Sequence, residues 1–145
     1  MKETFCCFTG HRLLPESEIA AIRLKLSGII ETLFEAGVTT FITGGAKGFD
    51  TLAAETVLAA KEYHPGIQLW VVLPYSGIRG DSTYLSQADR IDMLSEAYYR
   101  GCMHTRNRFM VEHAAYCISY LRKESGGTFY TVNYAKRRGL HIINI

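Results

Sequence analysis

Twice in this chain a short apolar run breaks at a glycine turn and continues as a helix. The first run, Val38 to Ile42, leads into Thr43-Gly44-Gly45-Ala46-Lys47-Gly48-Phe49-Asp50 and then an Ala/Leu-rich stretch. The second, Tyr116 to Leu121, leads through Ser125-Gly126-Gly127-Thr128 into the helical pattern Phe129 to Arg138. Strand–helix alternation with short connections specifies a parallel sheet with helices on both faces. In such a turn glycine lets the backbone bend tightly and approach a ligand closely. The helix that follows aims unpaired N–H groups and a partial positive charge at the ligand. Two such turns point to one pocket for an anionic group, the phosphates of a nucleotide foremost.

The rest of the chain repeats the alternation. Glu3 to Thr9 reads as a first strand and Ile67 to Leu73 as a third, the latter apolar except for Gln68. Continuous apolar runs suit strands covered on both faces. Leu140 to Ile145 reads as the last of five strands. Pro15-Glu16-Ser17-Glu18 opens a helix, since proline suits the first turn and acidic residues suit the positive helix end. Ile19, Ile22, Leu26, Ile29, Ile30 and Leu33 recur at three and four residues, which makes one buried face, and Gly37 caps it. Phe49 to Tyr63 is a second helix, stopped by His64-Pro65-Gly66. Leu85 to Ala97 has helical spacing through Ile91, Leu94 and Ala97, and Thr105 to Ala114 forms another helix. The expected fold is Rossmann-like α/β: a mostly parallel sheet of about five strands with helices on both faces. Ligands of such sheets bind at the carboxyl ends of the strands, where every unusual turn of this chain falls.

The 145 residues fit one domain, residues 1–145, and 48% hydrophobic content with 21% charged residues supports a packed core. No apolar run reaches the roughly 20 residues of a membrane helix, and the apolar segment after Met1 is too short for a signal peptide. A cytoplasmic protein is expected. The net charge of +2 gives little support to nucleic-acid binding. Arg100, His104, Arg106, Arg108 and His113 form one basic cluster and Lys136, Arg137, Arg138 and His141 another; the second reads as a solvated helix face. Cys6, Cys7 and Cys117 sit in apolar runs and read as reduced, buried small hydrophobes. No cysteine or histidine spacing fits a metal site.

Each motif has a chemical and a plainer reading. Lys47 precedes Gly48, so the first turn is not a Walker A loop, and its glycine spacing is not the dinucleotide fingerprint. Asp50 either caps the helix or holds a ribose hydroxyl. In Thr9-Gly10-His11-Arg12, Arg12 suits bidentate phosphate contact and His11 suits acid–base work, unless both are simply loop residues. Arg106-Asn107-Arg108 cannot all face one site from one helix; one of the two arginines or Asn107 is expected to enter the pocket. Tyr75, after Pro74, suits stacking on a base. Asp81, Asp89 and Asp92 read as part of a solvated helix. There is no nucleophile elbow and no carboxylate pair fixed by spacing.

Thr9-Gly10-His11-Arg12, the first glycine turn through Asp50, Pro74-Tyr75, Arg106-Asn107-Arg108-x-Met110-Val111 and Gly126-Gly127-Thr128-x-x-Thr131-x-x-Tyr134-Ala135 occur in this order. The series resembles the YpsA-like branch of the SLOG superfamily over nearly the whole chain. That superfamily includes the DNA-processing protein DprA and the lonely-guy (lysine-decarboxylase-like) phosphoribohydrolases. The resemblance implies a domain that binds a nucleotide or a nucleotide-derived ligand such as ADP-ribose, as a sensor or regulatory module. The implied contacts are Gly10, His11, Arg12, Gly44, Gly45, Lys47, Gly48, Asp50, Tyr75, Arg106, Asn107, Gly126, Gly127 and Thr128. An N-glycosidic hydrolase is the alternative. The phosphoribohydrolases carry Pro-Gly-Gly-x-Gly-Thr-x-x-Glu where this chain has Ser125 to Thr131, with no match for the glutamate. Asp50 and Glu112 are the carboxylates available to such an enzyme. A DprA-like module on nucleic acid is a further alternative, and further copies of the chain are an allowed partner.

Overall fold

The computed structural model describes residues 2–78 and 82–145; Arg79, Gly80 and Asp81 lie outside the described residues. In chain order the elements are β1 (Phe5–Gly10), α1 (Glu16–Glu35), β2 (Thr40–Thr43), α2 (Phe49–Tyr63), β3 (Gln68–Leu73), α3 (Ser82–Leu85), β4 (Arg90–Met93), α4 (Cys102–Glu112), β5 (Tyr116–Tyr120), α5 (Gly126–Arg137) and β6 (His141–Asn144). The six strands form one sheet in the order β4-β3-β2-β1-β5-β6, and every pair is parallel.

The alternation within each strand builds two cores. Cys6, Phe8, Phe41, Leu69 and Val71 point to one face, where Ile22, Leu26 and Ile30 of α1 and Phe49, Ala53 and Val57 of α2 cover them. Cys7, Ile42, Trp70, Val72 and Cys117 point to the other, against Met110 and Val111 of α4 and Ala135 of α5. The central strands are buried on both sides, which is why their sequences are continuously apolar.

Several sequence expectations need correction. The sheet has six strands rather than five, and the extra one, β4, lies inside the stretch Leu85 to Ala97 expected to be helical. The spacing of Ile91 and Leu94 fits a helix, but the polar residues Asp89, Arg90 and Asp92 beside Ile91 bind β3 instead. Asp89 accepts the backbone N–H of Leu69 at 2.8 Å, Asp92 accepts the indole N–H of Trp70 at 3.0 Å, and the Arg90 guanidinium stacks 4.0 Å from the Trp70 ring. Asp89 and Asp92 are therefore sheet-edge anchors rather than members of a solvated helix. The first strand starts at Phe5 after a 3-10 turn, Lys2–Thr4, and α4 starts at Cys102 rather than Thr105, with Gly101 as its cap.

The chain runs outward from β1 through β2, β3 and β4, then returns to place β5 on the other side of β1. Helix α1 leaves β1 toward one face and α5 leaves β5 toward the other. The two loops diverge, and a crevice opens between the carboxyl ends of β1 and β5. Doubly wound sheets bind ligands at this kind of switch point.

Candidate functional site

A cavity of about 350 Å³ occupies that crevice. The loop after β1 supplies Gly10, His11 and Arg12, and the loop after β5 with the start of α5 supplies Lys123, Ser125, Gly126, Gly127 and Thr128. The first glycine turn contributes Ala46 and Asp50, and α4 contributes Met103, His104, Arg106 and Asn107. Both glycine turns thus reach one hollow.

They reach it differently. At Gly126 and Gly127 an added Cβ would meet nothing within 4 Å, so the backbone at the start of α5 stands open to the hollow. The glycines of the first turn face protein. A Cβ on Gly44 would lie 2.8 Å from the Arg106 guanidinium, one on Gly45 would lie 2.7 Å from Leu73, and one on Gly48 would overlap the Arg12 carbonyl. The first N–H of α2, on Phe49, is already donated to the His11 carbonyl at 3.1 Å. Gly10 is glycine because the Phe49 ring lies where its Cβ would be.

The floor of the hollow is a buried acid–base pair. Arg106 is 4% exposed and Asp50 is 7% exposed. Arg106 donates through one terminal nitrogen to the Gly44 carbonyl and through Nε to Asn107 Oδ1 at 2.8 Å. Asp50 Oδ2 accepts the Ala46 N–H at 3.2 Å, which closes the turn. Burial pushes the Asp50 carboxyl up to about 6, against the opposing pull of Arg106, the Ala46 N–H and Arg12. Burial likewise draws the Arg106 guanidinium down, while Asp50 holds it up. Of Arg106-Asn107-Arg108, Arg106 and Asn107 line the cavity, and Arg106 is the buried one. Arg108 turns out to the Tyr130 hydroxyl at 3.3 Å.

His11 serves as a clamp. Its Nε2 accepts the backbone N–H of Arg122 at 2.8 Å, tying the loop after β1 to the loop after β5. Burial, Lys123 and Arg122 hold its pKa below the ordinary imidazole value, in keeping with a neutral ring whose Nε2 has a free lone pair.

Several expected residues lie elsewhere. Gly45, Lys47 and Gly48 line a neighbouring hollow over α1 and α2. The Tyr75 ring packs edge-on against Tyr98, 5.7 Å between centroids, outside the residues that line the cavity. Glu112 accepts the Tyr134 hydroxyl at 2.5 Å between α4 and α5 and does not line the cavity. The reading of Glu112 as a carboxylate at the site is therefore corrected. Met103, His104 and Lys123 were not anticipated at the site. With α4 starting at Cys102, Met103 stands three and four residues before Arg106 and Asn107, on the same face; Gly101 was the signal for that start. Among the described residues no helix is long and apolar enough to cross a membrane.

Comparison with known proteins agrees with this architecture. A UPF0398 protein of Halalkalibacterium halodurans is 29% identical over 134 residues, spanning 83% of this chain and 70% of that protein. One from Lactiplantibacillus plantarum is 28% identical over 109 residues, 68% of this chain and 58% of its own length. The fold is similar to that of DNA processing protein A (DprA) from Streptococcus pneumoniae, with a TM-score of 0.71 at 17% identity over 96% of this chain. This chain spans about half, 49%, of that protein. It is also similar to DprA from Helicobacter pylori, whose structure describes a single-stranded DNA binding mode, with a TM-score of 0.74 at 16% identity over 99% of this chain and 65% of that one. The YpsA family model, described as the YspA SLOG family, matches residues 14–141, and the chain belongs to that family.

Proposed function

We propose that the crevice between β1 and β5 binds a nucleotide or a nucleotide-derived ligand. The observation that carries this reading is the open start of α5 facing a buried guanidinium across one small cavity. A phosphate suits backbone N–H groups at a helix start, and Gly126 and Gly127 leave the approach clear. Arg12 and Lys123 stand at the mouth. Asp50 is poorly placed for phosphate and well placed to accept a ribose hydroxyl, which gives the ligand a direction: phosphate toward α5, sugar toward α2. A thermal-shift series with AMP, ADP-ribose and NAD tests this. A ligand at 100 times its dissociation constant adds about 2.7 kcal/mol of stability, and Arg12→Ala weakens the effect without lowering the melting temperature of the free protein. A set of nucleotides that leaves the melting temperature unmoved at millimolar concentration sinks the reading.

A second reading, cleavage of the ligand's N-glycosidic bond, draws on Asp50 alone. A buried carboxyl that titrates near 6 and lines the cavity suits proton transfer near neutral pH. Release of free base from a nucleoside monophosphate by the wild type, lost in Asp50→Asn, would establish it. The likeness to DprA supports a third reading, a module on nucleic acid. Binding of single-stranded DNA that weakens steeply with salt distinguishes it from binding of a mononucleotide.

A further inference from the structure

We infer that β4 is a pairing edge whose partner is β4 of a second copy of this chain, joined antiparallel about a two-fold axis at Ile91 so that the two sheets run on as one. A strand at a sheet edge leaves alternate N–H and C=O groups without a ladder partner. Strand β4 has β3 on one side and no strand on the other among the described residues. Its surroundings are apolar for an edge. Of the eight large hydrophobic side chains exposed among the described residues, four are Ile91, Met93, Tyr98 and Tyr99, on β4 or just past its end. None falls on β6, the other edge. Ile91 and Met93 lie beside Val71 and Leu73 of β3 and share their face of the sheet. A second strand laid along β4 would extend that apolar face.

Charge selects the second copy and the register. Opposed residues of paired strands point to the same face, so a two-fold axis normal to the sheet must pass through a residue of β4 rather than between two. With the axis at Ile91, Arg90 lies opposite the partner's Asp92, and Asp92 opposite the partner's Arg90. An axis one residue earlier sets Arg90 against the partner's Arg90, and one residue later sets Asp92 against the partner's Asp92; like charges directly opposed destabilise. Both charges are held in place before a partner arrives. The Arg90 guanidinium lies over the Trp70 ring, and Asp92 accepts the indole N–H. The two meet at 2.9 Å within the chain and stay partly exposed, so pairing gives each a second opposite charge and strands neither. The Asp89 carboxylate, next along the strand, is already matched by Lys61. Strand β6, His141-Ile142-Ile143-Asn144, has no such pair of opposite charges. Antiparallel pairing turns the carboxyl ends of the two sheets in opposite directions, so the two crevices open at opposite ends of the assembly.

Sedimentation velocity of the full chain between about 1 and about 100 µM tests the inference. A dimer that dissociates on dilution is expected, as suits a small interface. Ile91→Lys, at an exposed position, sets two like charges together on the axis. It is expected to leave a monomer at about 100 µM with unchanged far-UV circular dichroism. Arg90→Asp and Asp92→Arg are each expected to lose the homodimer, since each opposes like charges. An equimolar mixture of those two variants is expected to form a heterodimer, because every opposed pair is again of opposite sign. Ile91→Lys decides the matter alone if either charge variant fails to fold. A wild type that is monomeric at about 100 µM, a dimer that survives Ile91→Lys, or folded charge variants that do not recombine would each overturn the inference. Strand β4 lines no part of the crevice, so none of these results touches the nucleotide reading.

Discussion

The two glycine turns look alike as sequence and do different work. In the turn after β2 the glycines make room for the protein itself: for Arg106 at Gly44, for Leu73 at Gly45 and for the Arg12 carbonyl at Gly48. In the turn at the start of α5 they leave the room empty. The first turn also has its donors committed, to the His11 carbonyl and the Asp50 carboxylate. The contrast teaches that glycine at a strand-to-helix turn marks close approach without saying what approaches. Only the atoms around the missing Cβ distinguish a packed turn from a ligand cradle.

Substitution at Gly48 should break the packed turn most severely. Its φ of +73° and ψ of −118° lie where glycine alone is comfortable, and a Cβ would overlap backbone. Gly48→Ala is expected to cost about 3 kcal/mol or more, combining backbone strain with overpacking. That corresponds to a fall of about 10 °C in melting temperature. A variant that melts with the wild type would show that the turn can shift to accept a side chain.

The Asp50 carboxyl behind that turn gives a pH signature. Its folded pKa, about 6, lies above the ordinary value of 3.8, so the folded state holds this proton more tightly than the unfolded chain. The contribution to stability is fully present below about pH 4, is lost as pH rises toward 6, and is absent above that. The stability of the wild type relative to Asp50→Asn should therefore fall by about 3 kcal/mol between pH 4 and pH 7, the size of a two-unit shift. Denaturant titrations at both pH values measure this, and a difference of opposite sign would mean that Arg106 outweighs burial.

Gly44→Ala sharpens the same side of the comparison. The methyl would press on the Arg106 guanidinium at 2.8 Å and disturb its bond to the Gly44 carbonyl. A loss of about 1–3 kcal/mol is expected, along with weaker ligand binding because Arg106 moves.

Gly127→Ala should have the smallest effect on stability and a plain effect on function. Space is open around it, and alanine favours a helix over glycine by up to about 1 kcal/mol. The melting temperature should hold or rise, while nucleotide affinity falls about tenfold because the methyl stands in the approach. Equal destabilisation by Gly127→Ala and Gly48→Ala would erase the distinction between the turns.

Much of the fold was legible because burial writes itself into residue order. Phe49 to Tyr63 was read with the bounds the structure gives to α2, since Ala/Leu spacing, the preceding glycine and the His64-Pro65-Gly66 stop all agree. Strand β4 was not legible. Arg90-Ile91-Asp92-Met93 sits at an exposed sheet edge, where no continuous apolar run is needed and a helical spacing can arise by accident. At the site, the strand-end motifs led to Arg12, Asp50, Arg106 and the start of α5. They could not show that Lys47 and Tyr75 turn away from the crevice or that Glu112 is held by Tyr134, because those directions depend on packing between elements distant in sequence.

All four thiols of this chain are buried: Cys6 and Cys7 in β1, Cys117 beside Cys7 in β5, and Cys102 at the start of α4. Burial raises the Cys6 pKa, and a hydrogen bond with Cys117 together with burial raises the Cys7 pKa, both well above the ordinary thiol value, so these two residues offer a reagent almost no thiolate, and burial closes all four thiols to it. Alkylation must wait for the structure to open. Its rate in native buffer therefore reports the opening equilibrium, when closing outpaces labelling. The chain thus carries its own meter for ligand binding: a compound that occupies the crevice slows modification by the factor 1 + [L]/Kd, with no chromophore, mutation or catalytic turnover required.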